Sequence, residues 1–304
     1  MSSTSPHLSA REHTFSPREL ATAVGVSESS MKRWIDAGEL EAARTAGGHR
    51  RVSQREAVRF IRERALHVVD PAALRLPELV GLPDIEAAPV TAEGLIEALV
   101  AGEAARARAL VVAAYVGGAS LASLCDGPLR GALHHAGMLW ENGGGGVDPS
   151  GIGIEHEAVD VFVQILHQIR TLRPLAPDGA PVAVGGAFEG DPYTVPSLMA
   201  AAVLEDLGFD VTNLGPNTPI DVLADAARRR RADLVWLSVS ASPPDEELRR
   251  ASAALATELN AAGARFVVGG REAKADALPG LTVLPSMLAL NALAEQIMAE
   301  RRAA

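Results

Sequence analysis

The side chains best suited to chemistry fall into two groups, and the first is cationic. Arg44, His49, Arg50 and Arg51 flank the pair Gly47–Gly48, while Ser29, Lys32 and Arg33 lie on the short stretch that ends near Trp34. Cationic groups on a glycine-turn hairpin beside a short helix suit phosphate oxygens and base edges, not bond making. The second group gathers imidazoles, carboxylates and a phenol: His134–His135, Glu155–His156, and the run Asp191–Pro192–Tyr193. Neutral imidazole is a good metal ligand, whereas a phenol must first lose its proton. The single cysteine, Cys125, excludes a disulfide framework and any thiolate cluster drawn from one chain. No residue is given a catalytic role, no metal ligand set is assigned, and an enzyme is not expected.

These groups need elements to position them. With 304 residues, 48% hydrophobic and 22% charged, the chain has material for two domains, or three if one is small. No run of about 18 uncharged apolar residues occurs, so no membrane partner is expected. The first residues lack a basic segment followed by an apolar one, so a cytoplasmic location is expected rather than secretion. Net charge is −10, yet residues 11–64 hold 11 Lys and Arg against 8 Asp and Glu, leaving 17 against 30 elsewhere. A basic segment on an acidic body is what results when one part touches phosphates and another does something else.

Ser16–Pro17 predicts a helix to about Val24, and Ser27 predicts a second one to about Ala37, with Gly25 between them and Gly38 after them. This is the helix-turn-helix arrangement, whose second helix enters the major groove. The Gly47–Gly48 turn makes Arg44, His49, Arg50 and Arg51 a basic wing, and Ser53 starts a third helix to about Leu66. Trp34 is expected to pack in the core of this unit. Pro71, Pro77, Pro83 and Pro89 mark residues 67–90 as a linker. Four helical stretches follow, near 91–100, 103–116, 119–141 and 154–173, as in an antiparallel bundle. The glycine run Gly143–Gly146 separates the last two.

From Pro181 strands and helices alternate. Strands are expected at 181–187, 210–214, 233–239, 265–268 and 281–284, and helices at 195–207, 219–230, 245–262 and 287–301. Such alternation builds an open parallel sheet with ligands at the carboxyl ends of its strands. Gly185–Gly186 does not complete Gly-x-Gly-x-x-Gly, so a nicotinamide site is not expected. Arg228 to Arg231 closes a helix, where cations suit the dipole. The expected fold is multidomain. A winged helix-turn-helix, mainly α, spans 1–66, and the linker takes 67–90. A four-helix-bundle cap spans 91–177, and an α/β Rossmann-like parallel sheet 178–304.

The N-terminal unit, with Trp34, Gly38 and the wing Arg44 to Arg51, resembles the MerR-type winged helix. Trp140 followed by Glu155–His156, the run Leu214 to Pro219, Ser238–Val239–Ser240 and Gly269–Gly270 resemble motifs of the cobalamin-binding module. Almost all of residues 15–304 is similar to the light-dependent repressors of the CarH/LitR kind. That resemblance implies adenosylcobalamin between cap and sheet, with its nucleotide tail threaded into the sheet domain beside small residues. It marks Trp140, Glu155, His156, Asp191, Tyr193, Gly215, Ser238, Ser240, Gly269 and Gly270 as cofactor-binding.

Three positions depart from the family. Its histidine below cobalt lies in an Asp-x-His-x-x-Gly loop, and here Tyr193 and Pro196 stand at the histidine and the glycine. Its light-sensing members carry a histidine next to the Trp, and here that neighbour is Glu141. Histidine-ligated cobalamin is therefore not expected unless His134 or His135 substitutes. The expected function is a ligand-responsive repressor, with light as one candidate signal. Its partners are a double-stranded DNA operator and itself, as a dimer or tetramer. The ligand is cobalamin or another tetrapyrrole. The alternatives are a biliverdin-type bilin, no cofactor at all, or a corrinoid-dependent enzyme subunit.

Overall fold

The computed structural model describes residues 13–79, 89–141 and 149–303, and these fall into two units. The first takes the chain up to Ser120 together with Gly127–Pro174. The second takes Leu121–Asp126 and everything from Leu175 onward.

The first unit begins with β1 (Thr14–Phe15), α1 (Pro17–Ala23), α2 (Glu28–Asp36), β2 (Ala43–Arg44), β3 (Arg50–Ser53) and α3 (Gln54–Glu63). Ser16 and Glu19 form a reciprocal capping box: the Glu19 N–H donates to Ser16 Oγ at 3.2 Å, and the Ser16 N–H to Glu19 Oε2 at 2.7 Å. Gly25 has φ of +66°, which ends α1 in a conformation that L side chains rarely adopt. Ser27 then caps α2 by accepting from the Ser30 N–H. The strands pair antiparallel in the order β1-β3-β2, with Phe15 opposite Val52 and Arg44 opposite Arg50. Phe15, Leu20, Met31, Leu40, Val52, Phe60 and Ile61 are buried between them. Trp34 packs on Phe60 with ring centroids 5.2 Å apart, at the edge of this core and only half-buried.

The prolines that read as a linker do something else in the described part of it. Pro71 and Pro77 each open a 3-10 turn, at Pro71–Leu74 and Pro77–Leu79, and bury Leu74, Leu76 and Leu79. Residues 80–88 lie outside the described residues. Next come α4 (Ala92–Val100), α5 (Ala104–Val116), α6 (Leu121–Leu124), α7 (Arg130–Glu141) and α8 (Pro149–Leu172). The helix expected over 119–141 is not uniform. Cys125–Leu129 is π-helical and contains Pro128, which has no N–H to donate and whose ring crowds the preceding turn. Helix α3 sits on the bundle through two arginines. Arg55 donates to the Arg173 carbonyl at 2.7 Å and Arg62 to the Tyr115 and Ala119 carbonyls, all at or just past helix ends.

The second unit holds β4 (Val182–Ala187), α9 (Thr194–Asp206), β5 (Asp210–Asn213), α10 (Ile220–Arg230), β6 (Leu234–Ser238), α11 (Glu246–Ala261), β7 (Arg265–Gly269), β8 (Thr282–Val283) and α12 (Met287–Ala303). All five strands are parallel, in the order β5-β4-β6-β7-β8. Ala183, Leu234 and Trp236 bury one face with Ala201, Leu204 and Leu290 of α9 and α12. Val184, Val235 and Leu237 bury the other with Leu223 and Leu255 of α10 and α11. Asp126 caps α12, accepting from the Met287 and Leu288 N–H groups at 2.9 Å each. No helix among the described residues is long and apolar enough to cross a membrane.

Candidate functional site

The first candidate surface is the wing and helix α2. The hairpin turn is closed by the Gly48 N–H on the Thr45 carbonyl at 2.8 Å and the Thr45 N–H on the His49 carbonyl at 2.9 Å. Gly48 has φ of +77°, so its lack of a side chain is what permits the turn. Ser29, Lys32, Arg33, Arg44 and His49 are all exposed. Lys32 pairs with Glu28 one turn earlier at 2.7 Å, an exposed and easily exchanged pair.

Arg50 and Arg51 are placed differently from Arg44. Both are only half exposed, and each has an acidic partner that the sequence did not reveal. Arg50 pairs with Asp36 at the end of α2. Arg51 pairs with Glu19 at 3.3 Å, which also receives Arg75 at 3.1 Å. These two arginines therefore join the wing to the helices beneath it, while Arg44 and His49 face outward.

The second candidate site is the carboxyl edge of the parallel sheet. Strand β4 has neighbours β5 and β6 on opposite sides, so the order reverses there and the two loops splay apart. Asp191, on the loop after β4, ties them together. Its buried carboxylate accepts the Ser240 and Ala241 N–H groups at 2.5 and 3.3 Å, from the loop after β6, and the Tyr193 N–H at 3.0 Å. Ser238 and Ser240 are buried beside it. The Ser240 hydroxyl oxygen finds no hydrogen-bond partner among the described residues. A buried hydroxyl without a partner costs free energy, and a polar group of a ligand would recover it. Tyr193 is 41% exposed and lies 5.7 Å from the guanidinium carbon of Arg271, measured to the ring centroid.

Two glycines of this edge are spent on the protein itself. A Cβ at Gly270 would stand 2.3 Å from the Val239 carbonyl oxygen and 2.8 Å from Ser240 Oγ. At Gly186 it would meet Thr218 Oγ1 at 2.7 Å, and at Gly269 the Leu284 carbonyl at 3.5 Å. Gly215, with φ of +87°, shapes the turn after β5 and faces open space. Glu155 is half buried and His156 exposed on α8. His134 is exposed, and the Nδ1 of its half-buried neighbour His135 is enclosed without a partner among the described residues. Gly143–Gly146 and the side chains of Trp140 and Glu141 lie outside the described residues.

Residues 181–280 match the B12 binding domain family. Residues 14–65 match a helix-turn-helix domain. The chain therefore joins a helix-turn-helix domain to a B12 binding domain. Dimethylamine corrinoid protein 1 of Methanosarcina acetivorans and the dimethylamine corrinoid protein of Methanosarcina barkeri are each 29% identical over 75 residues. That stretch is 23% of this chain and 35% of each relative, so the chain matches about a third of their length. Among solved structures, the monomethylamine corrinoid protein of Methanosarcina barkeri is 15% identical, with a TM-score of 0.48 over 67% of this chain and 96% of that one. A cobalamin-binding protein from Desulfitobacterium hafniense DCB-2 is 14% identical, with a TM-score of 0.34 over 70% and 98%.

A cobalamin held from below by a protein imidazole does not fit this edge. Tyr193 offers a phenol there, and Gly186 and Gly270 are closed against Thr218, Val239 and Ser240.

Proposed function

We propose that this chain is a MerR-type transcription regulator, acting as a repressor, whose sheet unit takes a tetrapyrrole effector. The observation that carries this reading is the joining, in one chain, of a B12 binding domain to a helix-turn-helix domain that turns Ser29, Lys32, Arg33, Arg44 and His49 outward. The second helix reads base edges while the wing cations hold phosphates. One such module covers few base pairs, so recognition calls for a dimer or tetramer on paired half-sites. A corrinoid is the effector class the domain match favours, and a bilin is the alternative tetrapyrrole. Both absorb visible light, which makes light a candidate signal. The names of the curated relatives favour a second reading, a corrinoid-carrying subunit of an enzyme, but that reading leaves the helix-turn-helix domain without a task.

The test is selection of random duplexes by the full chain, with and without added adenosylcobalamin or biliverdin, in darkness and in light. The expected result is enrichment of paired half-sites whose occupancy changes with one of the two tetrapyrroles. Sequence-independent binding that neither compound alters would overturn the proposal.

A further inference from the structure

Two consecutive glycines in a central strand leave a bare patch on each face of the sheet, and such patches mark close approach by a ligand or another part of the chain. Gly186 is covered by Thr218 on the α10 side. Gly185, on the α9 and α12 side, is covered by an indole. A Cβ there would lie 1.9, 2.2 and 2.5 Å from Cδ2, Cε2 and Cε3 of Trp236, its partner across the β4–β6 register. The ring lies against the strand over its fused bond and is 3% exposed. Its Nε1–H points to Ser197 Oγ at 3.4 Å, and that fully buried hydroxyl donates to Asn213 Oδ1 at 2.8 Å.

We propose that Trp236 is a built-in occupant of the slot that a nucleotide tail would need, so that this domain recognises a tetrapyrrole by its macrocycle alone. This rests on the tetrapyrrole reading above and narrows it. The chemistry of the ring supports it. Indole and the benzimidazole base of cobalamin are both five-six fused aromatics of nearly the same outline, with a nitrogen on the five-membered ring. The side chain thus fills, with its own bicycle, a flat space bounded by a bare strand and a buried serine. Two other close approaches at this edge are taken as well, Gly186 by Thr218 and Gly270 by Val239 and Ser240. A base displaced from cobalt finds this slot filled by the indole, so a bound cobalamin keeps its base on the metal.

The experiment compares cobalamin with cobinamide, the same corrin without its nucleotide, on the full chain. The parent should bind the two within about twofold of each other, and cobalamin should keep the spectrum of the base-on form. Trp236→Gly should prefer cobalamin by at least about tenfold and shift its spectrum toward the base-off form. A parent that already prefers cobalamin tenfold, or already displaces its base, would overturn the proposal, as would a Trp236→Gly variant that treats the two alike. Where neither corrin binds the parent, the corrinoid reading fails and the slot is tested without it. Free 5,6-dimethylbenzimidazole should raise the melting temperature of Trp236→Gly and not of the parent, and no rise in the variant sinks the slot. Trp236→Leu, which keeps apolar contact but frees the space of the fused ring, replaces Trp236→Gly should the latter fail to fold.

Discussion

The guanidinium carbon of Arg62 lies 3.7 Å from the centroid of the Tyr115 ring, and the same side chain donates to the carbonyls of Tyr115 and Ala119. One residue of α3 thus closes the end of α5 by stacking and hydrogen bonding together. Removing it takes a charged donor from both carbonyls, while Tyr115 keeps the Gly118 N–H, a loss of about 1–3 kcal/mol, with cation–π attraction adding about 0.5–2 kcal/mol. Arg62→Ala should lower the urea midpoint of the first unit accordingly. Arg62→Lys should recover only part, because an ammonium neither stacks as a plane nor forks to two carbonyls. Equal midpoints for all three proteins would show that α3 is not held this way.

Acid should reveal the capping box of α1. Hydrogen bonds from Ser16, its backbone N–H first, hold the Glu19 carboxyl below the ordinary glutamate value, and Arg75 and Arg51 add to this while slight burial opposes it. A carboxyl depressed in the folded state contributes stability that is present above its unfolded value and lost as the pH falls through its folded value. The gap in melting temperature between the parent and Glu19→Gln should be full at neutral pH and shrink once the pH drops below about 4. A gap that widens in acid would contradict the sign of the shift.

The wing cations should separate into two classes. Arg33 and Arg44 are exposed, so their replacement by Ala should weaken DNA binding across sequences and reduce the salt slope by about one each, with the melting temperature unchanged. Arg50→Ala and Arg51→Ala should lower the melting temperature as well, since they leave Asp36 and Glu19 without those partners. Paired salt titrations and thermal melts decide it. Identical behaviour of Arg44→Ala and Arg50→Ala in both assays would refute the division.

Local signals made much of this legible, and long-range partners did not. Ser16–Pro17, Ser27 and Ser53 each mark a helix start because the caps act within three residues. The strands of the sheet are readable because buried parallel strands are short apolar runs. The segment around Pro71 and Pro77 reads as a linker because turns of three or four residues have no period to detect. The π-helical piece at Cys125–Leu129 carries a signal in Gly127–Pro128, but a helix can also simply end at such a pair. The tasks of Arg50 and Gly185 depend on Asp36 and Trp236, 14 and 51 positions away, and no spacing rule reaches that far.

Tyr193 and Trp236 together define the last prediction. Tyr193 stands at the start of α9, 41% exposed, where an imidazole would face a ligand lying on the strand ends. Changing it to His supplies a metal ligand that needs no costly deprotonation near neutral pH. With Trp236 in place, however, the base of a cobalamin cannot leave cobalt for the sheet interior, so the new imidazole has to compete with a base that stays attached. Cobinamide has no base to displace. Tyr193→His should therefore show imidazole-ligated cobalt with cobinamide but not with cobalamin, and only Tyr193→His combined with Trp236→Gly should ligate both. Visible spectra of the four combinations, with a histidine-nitrogen signature from electron spin resonance of the cobalt(II) forms, provide the measurement. Ligation of cobalamin by Tyr193→His alone would mean that the tail has a route other than the slot filled by the indole.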